Sequence, residues 1–371
     1  MCKNRIEEID KNFKQEDINC TNISFKSCFS KPFSLHGFYK PYEEQRLMRL
    51  PKEFENDEMI QARLSELMYH TAGGRLRFKT DSRSIAIRAE LCRPEPVPHI
   101  APTGSMGFDM FTKPDGSFGI PDYTACFVPH LKADGCSFEG MYQFDVKKPV
   151  MREITIHFPL YSKVSSLEVG LDRGAGIAAP QPYATMLPVV FYGSSITQGA
   201  CSSRPGNCYT AVLSRELDFD FINLGFSGNA YGDQAVAEYI AGLSMCALVL
   251  EYDYNARSEQ ELADTHHAFY RIVRNKNPEL PIVMMSAPVA APTRLRMPKK
   301  RMAVSRLIVM ESFLEGIKSG DKNLYFIDGE SLLGGKDARN TLVDSVHPND
   351  VGFKNMADRI YPVLKDVLYH S

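Results

Sequence analysis

The chain has 371 residues, enough for two cores of ordinary domain size, and sets 43 Lys and Arg against 45 Asp and Glu. A formal net charge of −2 gives no general attraction to phosphate backbones or anionic bilayers, so nucleic acid and membrane surfaces are excluded as expected partners. No apolar run approaches the roughly 18 residues that a membrane span requires.

Residues 1–21 are polar and read as an N-terminal arm or a loose helix, without the apolar stretch of a secretory signal. From 22 to 178, short alternating runs such as Ser84-Ile-Ala-Ile-Arg-Ala-Glu-Leu91 and Glu153-Ile-Thr-Ile-His-Phe158 are separated by Gly, Pro and Asp clusters. Period-two alternation with frequent turn signals predicts an antiparallel β-sandwich domain, with turns at Ala72-Gly-Gly74 and Lys113-Pro-Asp-Gly116. Two prolines in Ala178-Ala-Pro-Gln-Pro-Tyr183 mark a linker.

Beyond it, from 186 to 371, the periodicity changes. Strands are expected at 187–192, 219–224, 246–252, 281–286 and 323–328, each a short apolar run with little alternation, as suits strands buried on both faces. Helices are expected at 206–217, 231–242, 258–276, 299–319 and 351–368, the third opened by the capping-box sequence Ser258-Glu-Gln-Glu261. Five βα units in succession predict a parallel sheet with helices on both faces and chemistry at the carboxyl ends of its strands. The basic run Arg294-Leu-Arg-Met-Pro-Lys-Lys-Arg301 reads as a solvated loop and first helical turn.

Nine cysteines, Cys2, Cys20, Cys28, Cys92, Cys126, Cys136, Cys201, Cys208 and Cys246, are scattered without Cys-x-x-Cys spacing. That pattern predicts reduced thiols in a cytoplasm and no zinc site, with a Cys201–Cys208 disulfide as the weaker alternative. His266 and His267 beside Asp264 suggest a metal at first sight. The helical register sets His266 next to Leu262 and Phe269 and turns His267 away, so one ring is expected to pack and the other to be solvated.

The chemistry-bearing residues fall where predicted strands end. Ser195 follows the first strand in Val189-Val-Phe-Tyr-Gly-Ser-Ser-Ile-Thr-Gln-Gly199, Gly228 follows the second and Asn255 the third. Asp344 and His347 stand three apart in Thr341-Leu-Val-Asp-Ser-Val-His-Pro-Asn349, directly before the last helix. A serine hydroxyl becomes a nucleophile when an imidazole takes its proton and a carboxylate fixes that imidazole's tautomer. The backbone N–H groups of Ser195 and Gly228 and the side-chain amide of Asn255 are candidate oxyanion donors. Taken singly, Ser195 could instead cap a helix, Gly228 serve a turn and Asn255 a loop. Tyr192, Phe226, Tyr231 and Tyr254 flank these loops and suit packing better than sugar stacking. Asn349 or Asp350 is expected to cap the final helix.

These blocks resemble the SGNH hydrolases, the GDSL-like esterase and lipase superfamily, over about residues 186–370: Gly193-Ser-Ser-Ile196 the first, Gly228 and Asn255 the second and third, Asp344-x-x-His347 the last. The resemblance implies a flavodoxin-like three-layer α/β/α fold with a five-stranded parallel sheet. It also implies Ser195 as nucleophile, His347 as base, Asp344 as its orienter, and an oxyanion hole from Ser195, Gly228 and Asn255. Two positions depart from the family pattern: Ser194 replaces the usual Asp of the first block, and Asp253 the usual Gly of the third. The β domain, with Gly107-Phe-Asp-Met-Phe111, is similar to the accessory domain of carbohydrate-esterase-like members.

The expected function is therefore a serine esterase that removes a small acyl group, acetyl by preference, from a saccharide. It needs no cofactor or metal, and a homo-oligomer is compatible with the sequence. A lipase or thioesterase acting on longer chains, or a non-catalytic carbohydrate-binding protein on the same scaffold, stands as the alternative. An α/β-hydrolase elbow reads Gly-x-Ser-x-Gly, and Thr197 occupies its last position. A phosphate-binding loop would need Lys-Ser or Lys-Thr after Gly199, which is absent.

Overall fold

A computed structural model of the chain describes residues 22–56, 60, 62–92, 97–129, 137–289 and 299–369. The expected arm at 1–21 and residues 294–298 of the basic run lie outside them. The first half contains β1 (Ile23–Ser27), β2 (Ser34–His36), β3 (Arg75–Thr80), β4 (Ser84–Cys92), β5 (Phe108–Pro114), β6 (Asp122–Phe127), β7 (Ser137–Gln143), β8 (Arg152–His157), β9 (Lys163–Asp172) and β10 (Ile177–Ala178). Three short helices, α1 (Pro41–Glu44), α2 (Ala62–Leu67) and α3 (Pro102–Ser105), interrupt them.

These strands form two antiparallel sheets, β1-β9-β4-β7 and β10-β3-β8-β5-β6, with β2 also paired to β3. Alternation explains why they pack face to face. Ile85, Ile87, Ala89 and Leu91, every second residue of β4, enter one core with Leu167, Val169 and Leu171 of β9, and with Leu76, Phe78, Phe108, Met110, Ile154 and Ile156 of the facing sheet. Each of the larger side chains among them contributes about 1.5–3 kcal/mol by leaving water. Lys113–Gly116 lies where β5 gives way to the turn before β6, and Ala72–Gly74 is a turn leading into β3.

The second half contains β11 (Val189–Gly193), α4 (Ser195–Gln198), α5 (Tyr209–Leu217), β12 (Phe221–Gly225), α6 (Gln234–Ala241), β13 (Ala247–Glu251), α7 (Glu259–Lys276), β14 (Ile282–Met285), α8 (Lys299–Lys318), β15 (Leu324–Ile327) and α9 (Asp350–Tyr369). All five strands run parallel in the order β12-β11-β13-β14-β15. Every residue of β11, β13 and β14 is buried, which is why their sequences are apolar runs, broken only by Glu251 at the end of β13. Helices α5 and α9 cover one face and α6, α7 and α8 the other. Because β11 lies between the second and third strands, the strand order reverses beside it and opens a crevice at the carboxyl ends. The expected capping box is only half formed: Ser258 Oγ accepts from the Glu261 N–H at 3.0 Å, whereas the Glu261 carboxylate takes the Arg257 N–H at 2.6 Å. Among the described residues no helix is long and apolar enough to cross a membrane.

The two halves are tied by buried polar groups. Met48, Leu50, Phe54, Leu64 and Met68, which precede β3 in sequence, share a core with Val190 and Tyr192 of the parallel sheet. Between them, the fully buried Arg49 donates to the carbonyls of Asn223 (3.0 Å), Gly225 (2.6 Å) and Leu67 (2.7 Å) and lies over the Phe226 ring. Asp109, buried in β5, accepts from the Gly206 N–H at 2.9 Å and from Arg204 at 3.2 Å.

Candidate active site

Ser195 is positioned by the way β11 stops. The Ser194 N–H donates to the carbonyl of Glu251 (2.9 Å), the last residue of the neighbouring strand. Its Oγ accepts from the Ile196 N–H (3.1 Å) and donates to the Glu251 carboxylate (2.9 and 3.0 Å). Ser194 is thus the N-cap of α4 and satisfies one of the amides orphaned at its start. The capping role considered for Ser195 belongs to its neighbour, and Ser195 takes the first helical position. Gly193 must be glycine here, since a Cβ would stand 2.3 Å from the Glu251 carbonyl oxygen.

His347 arrives from the other end of the chain. The segment Thr341–Asn349 closes on itself, Val343 N–H donating to the His347 carbonyl (2.9 Å) and Asn349 N–H to that of Thr341 (2.8 Å), with Ser345 in the left-handed region at φ 72°. Asp344 sits inside this loop. Its Oδ1 accepts from the N–H groups of His347 (2.8 Å) and Val346 (3.2 Å), and its Oδ2 lies 2.9 Å from His347 Nδ1. Burial alone would raise this carboxyl, but the backbone donors and the imidazole hold it down at about 2. His347 Nε2 then lies 2.8 Å from Ser195 Oγ, and each of these two residues is only 9% exposed.

The other two blocks meet at the same rim. Gly228 adopts φ +68°, a conformation that favours glycine, and neither its N–H nor that of Ser195 has an acceptor among the described residues. Asn255 Nδ2 donates to the Phe226 carbonyl at 3.1 Å, which fixes the amide next to the loop carrying Gly228 and leaves it a second N–H. Asp253, where the resemblance leads one to expect glycine, is buried and accepts from the Ala287 N–H at 3.0 Å, pinning the turn to the end of β14. Burial pushes its carboxyl up to about 6.

Two supporting residues, Glu251 and His99, were not singled out by sequence reasoning, and Asp350 takes a role other than the cap considered for it. Glu251 is buried beneath Ser195 and also binds Thr197 Oγ1 at 2.8 Å. Burial, reinforced by the Asp253 charge and opposed by the hydrogen bonds from Thr197 and Ser194, pushes its carboxyl up to about 8. The only sequence signal was a charged residue ending an otherwise apolar strand. Asp350 accepts from the Ser203 N–H (2.8 Å) and from Asn207 Nδ2 (3.0 Å), so Asn349 is left to cap α9 by accepting from the Gly352 N–H (3.1 Å). His99, from the β-sandwich half, stacks on His347 with ring centroids 5.4 Å apart and holds its Nε2 3.7 Å from Asp344 Oδ2.

Other candidates fall elsewhere. Tyr192 and Phe226 are core residues, while Tyr231 and Tyr254 are half-buried. His266 is buried against Tyr252, and His267 lies 3.3 Å from Glu315. Cys201 and Cys208 do not form a disulfide with each other. A cleft of about 590 Å³ between the two halves, lined by Arg75, Arg77, His157 and Arg215 among others, contains none of the candidate catalytic side chains.

Residues 186–365 match the GDSL-like lipase/acylhydrolase family, and residues 23–177 match the N-terminal domain of SGNH-hydrolase-type esterases, known as GxDLY. A putative GDSL-like lipase from Bacteroides ovatus is 28% identical over 94% of this chain and 98% of its own, with a TM-score of 0.82. A salicylyl-acyltransferase from a tetracycline biosynthetic pathway is 20% identical over 94% and 99%, with a TM-score of 0.75. An acetyl xylan esterase from the rumen bacterium Butyrivibrio proteoclasticus is 12% identical over 93% and 98%, with a TM-score of 0.58. The last two similarities concern the fold alone. No curated protein matches the chain.

Proposed function

Because this chain belongs to the SGNH hydrolases, with a GDSL-like lipase/acylhydrolase domain at 186–365, and is a carboxylic ester hydrolase, we propose that it removes a small acyl group, acetyl by preference, from a carbohydrate through Ser195, His347 and Asp344. The observation that carries this reading is the unbroken relay from Ser195 Oγ to His347 Nε2 at 2.8 Å and from His347 Nδ1 to Asp344 Oδ2 at 2.9 Å.

With Nδ1–H donated to Asp344, His347 presents the lone pair of Nε2 to the serine hydroxyl. As Ser195 Oγ attacks the ester carbonyl, its proton passes to Nε2, and the Asp344 carboxylate, ionised down to about pH 2, stabilises the imidazolium. The carbonyl oxygen becomes an oxyanion, for which the Ser195 and Gly228 N–H groups and the second N–H of Asn255 are donors. Collapse expels the sugar alcohol, which takes the proton from Nε2, and leaves Ser195 acylated. Water repeats the sequence and releases the acid. These steps call on no cofactor.

A nucleophile exposed by only 9% favours a compact acyl group. The saccharide rests on the likeness of the two-domain arrangement to carbohydrate esterases. Acetate release from a panel of acetylated oligosaccharides, set against nitrophenyl esters of increasing chain length, tests it. Turnover of long-chain esters only would replace the saccharide reading with a lipase. No turnover of any ester, with binding of oligosaccharide intact, would leave a carbohydrate-binding protein.

A further inference from the structure

A nitrogen of His99, a nitrogen of His347 and the Cys201 sulfur lie within 4.8 Å of one another, the first residue coming from the β-sandwich half and the other two from the hydrolase half. We propose that these three side chains form a zinc-binding site that reversibly switches the enzyme off. The donor set is that of a zinc site with three protein ligands: two imidazoles and a thiolate, at bond lengths of roughly 2.0–2.3 Å. Tetrahedral geometry at those lengths sets ligand atoms roughly 3.3–3.7 Å apart, so no pair need close by more than about 1 Å. His99 can supply that movement, since it sits in a connecting segment and its side chain is 25% exposed.

Two further features fit an ion here. Asp344 Oδ2 lies 2.9 Å from His347 Nδ1 and backs that imidazole as in carboxylate–histidine–zinc arrangements, and the same oxygen stands 3.7 Å from His99 Nε2, a negative charge beside the proposed ion. Cys201 holds φ 69°, a left-handed conformation uncommon for a residue with a side chain, beside the nucleophile's helix. On binding, the Cys201 thiol releases its proton to solvent and the thiolate and two neutral imidazoles donate lone pairs to Zn²⁺. His347 Nδ1 is already committed to Asp344, so Nε2 is the nitrogen the ion takes. That is the atom that must accept the Ser195 proton, and hydrolysis stops until the ion leaves.

Binding does not depend on the esterase reading, whereas inhibition does, and the experiment separates them. Titrating Zn²⁺ into the full chain by calorimetry should give one site, and Co²⁺ in its place should give a thiolate-to-cobalt charge-transfer absorption. His99→Ala and Cys201→Ser should each weaken Zn²⁺ binding by about tenfold or more. Cys201→Ser should abolish the charge-transfer band, and Ser195→Ala should keep both binding and band. The ratio of ester hydrolysis with and without Zn²⁺ should rise toward one in both ligand variants and return to one in wild type on adding EDTA. His99→Ala alone decides the matter where Cys201→Ser fails to fold. Absence of zinc binding, a cobalt spectrum without thiolate absorption, or affinity unchanged in His99→Ala would each overturn the site. An inert wild type that still binds zinc through these residues would overturn the esterase reading and leave the metal site standing.

Discussion

The strand-to-helix junction that carries Ser195 and the loop that carries His347 are held by different forces. The junction is built into the core: Ser194 and Thr197 are buried and both hydrogen-bond Glu251, itself buried at the end of the adjacent strand. The loop lies at the surface, with Val343 49% exposed, and its shape comes from backbone bonds within Thr341–Asn349 and from the Asp344 carboxylate inside it. A core support makes position and stability inseparable. A local loop lets the base be changed at small cost to folding. Substitutions around Ser195 should therefore register in both stability and rate, and those around His347 mainly in rate.

The largest effect is expected at the contact where the two supports meet. Ser195→Ala and His347→Ala should each lower kcat by about 10⁴–10⁶, and the double variant should be no slower than the worse single one, because such groups act as a unit. Steady-state hydrolysis of 4-nitrophenyl acetate by all three variants checks this. Additive losses would mean that the hydroxyl and the imidazole do not share a proton, and the comparison of their supports would lose its point.

A third support, the Tyr252–Asn255 turn, resembles the serine side, since Asp253 is buried and fixed to the Ala287 N–H. Asn255→Ala should lower kcat by about 10²–10³ if the amide donates to the oxyanion. A change confined to KM would reassign Asn255 to substrate binding and remove the third donor.

The pH dependence of stability separates the two supports further. The Glu251 carboxyl is raised from its ordinary 4.5 to about 8, so the folded chain binds its proton more tightly than the unfolded chain. That contribution is complete below about pH 4.5 and is lost as pH rises toward 8. Asp344 has the opposite sign: lowered from 3.8 to about 2, its contribution is present above 3.8 and lost only in acid. Asp253 shares the sign of Glu251, but its interval ends at about 6. Between pH 6 and 8 the melting temperature of wild type should fall more than that of Glu251→Gln, in which a neutral amide replaces the carboxyl. Parallel profiles over that range would show that Glu251 does not hold its proton.

The parallel strands were legible because burial on both faces leaves uninterrupted apolar runs, and the sandwich strands because burial on one face leaves alternation. Helix α5 begins at Tyr209 and not at 206, since Pro205–Asn207 forms a separate 3₁₀ turn that periodicity cannot distinguish from the helix. Ser195, Asp344 and His347 stood out because each lies in a local pattern. Glu251 did not, because its role depends on the pairing of Gly193 with Glu251 across β11 and β13, a register no local spacing encodes. His99 was equally hidden, since nothing in its own sequence neighbourhood places it against a ring from the opposite half of the chain.

The smallest expected effect is also the most specific test of the core support. Ser194→Ala removes the cap of α4, a loss of about 1 kcal/mol, and takes one hydroxyl donor from the Glu251 carboxyl while Thr197 (2.8 Å) and the more distant Ser194 N–H (3.4 Å) remain. Below about pH 8 the Glu251 carboxyl is neutral, so a missing donor leaves no unpaired charge and the cost should stay near that of the cap. Above it the carboxylate is ionised and buried, and the same missing donor should cost more. Urea midpoints of wild type and Ser194→Ala at pH 7 and pH 9 measure the difference directly. A gap that widens with pH assigns the buried carboxyl to the nucleophile's support, whereas a constant gap would reduce Ser194 to a helix cap and return the junction to the same footing as the loop that carries His347.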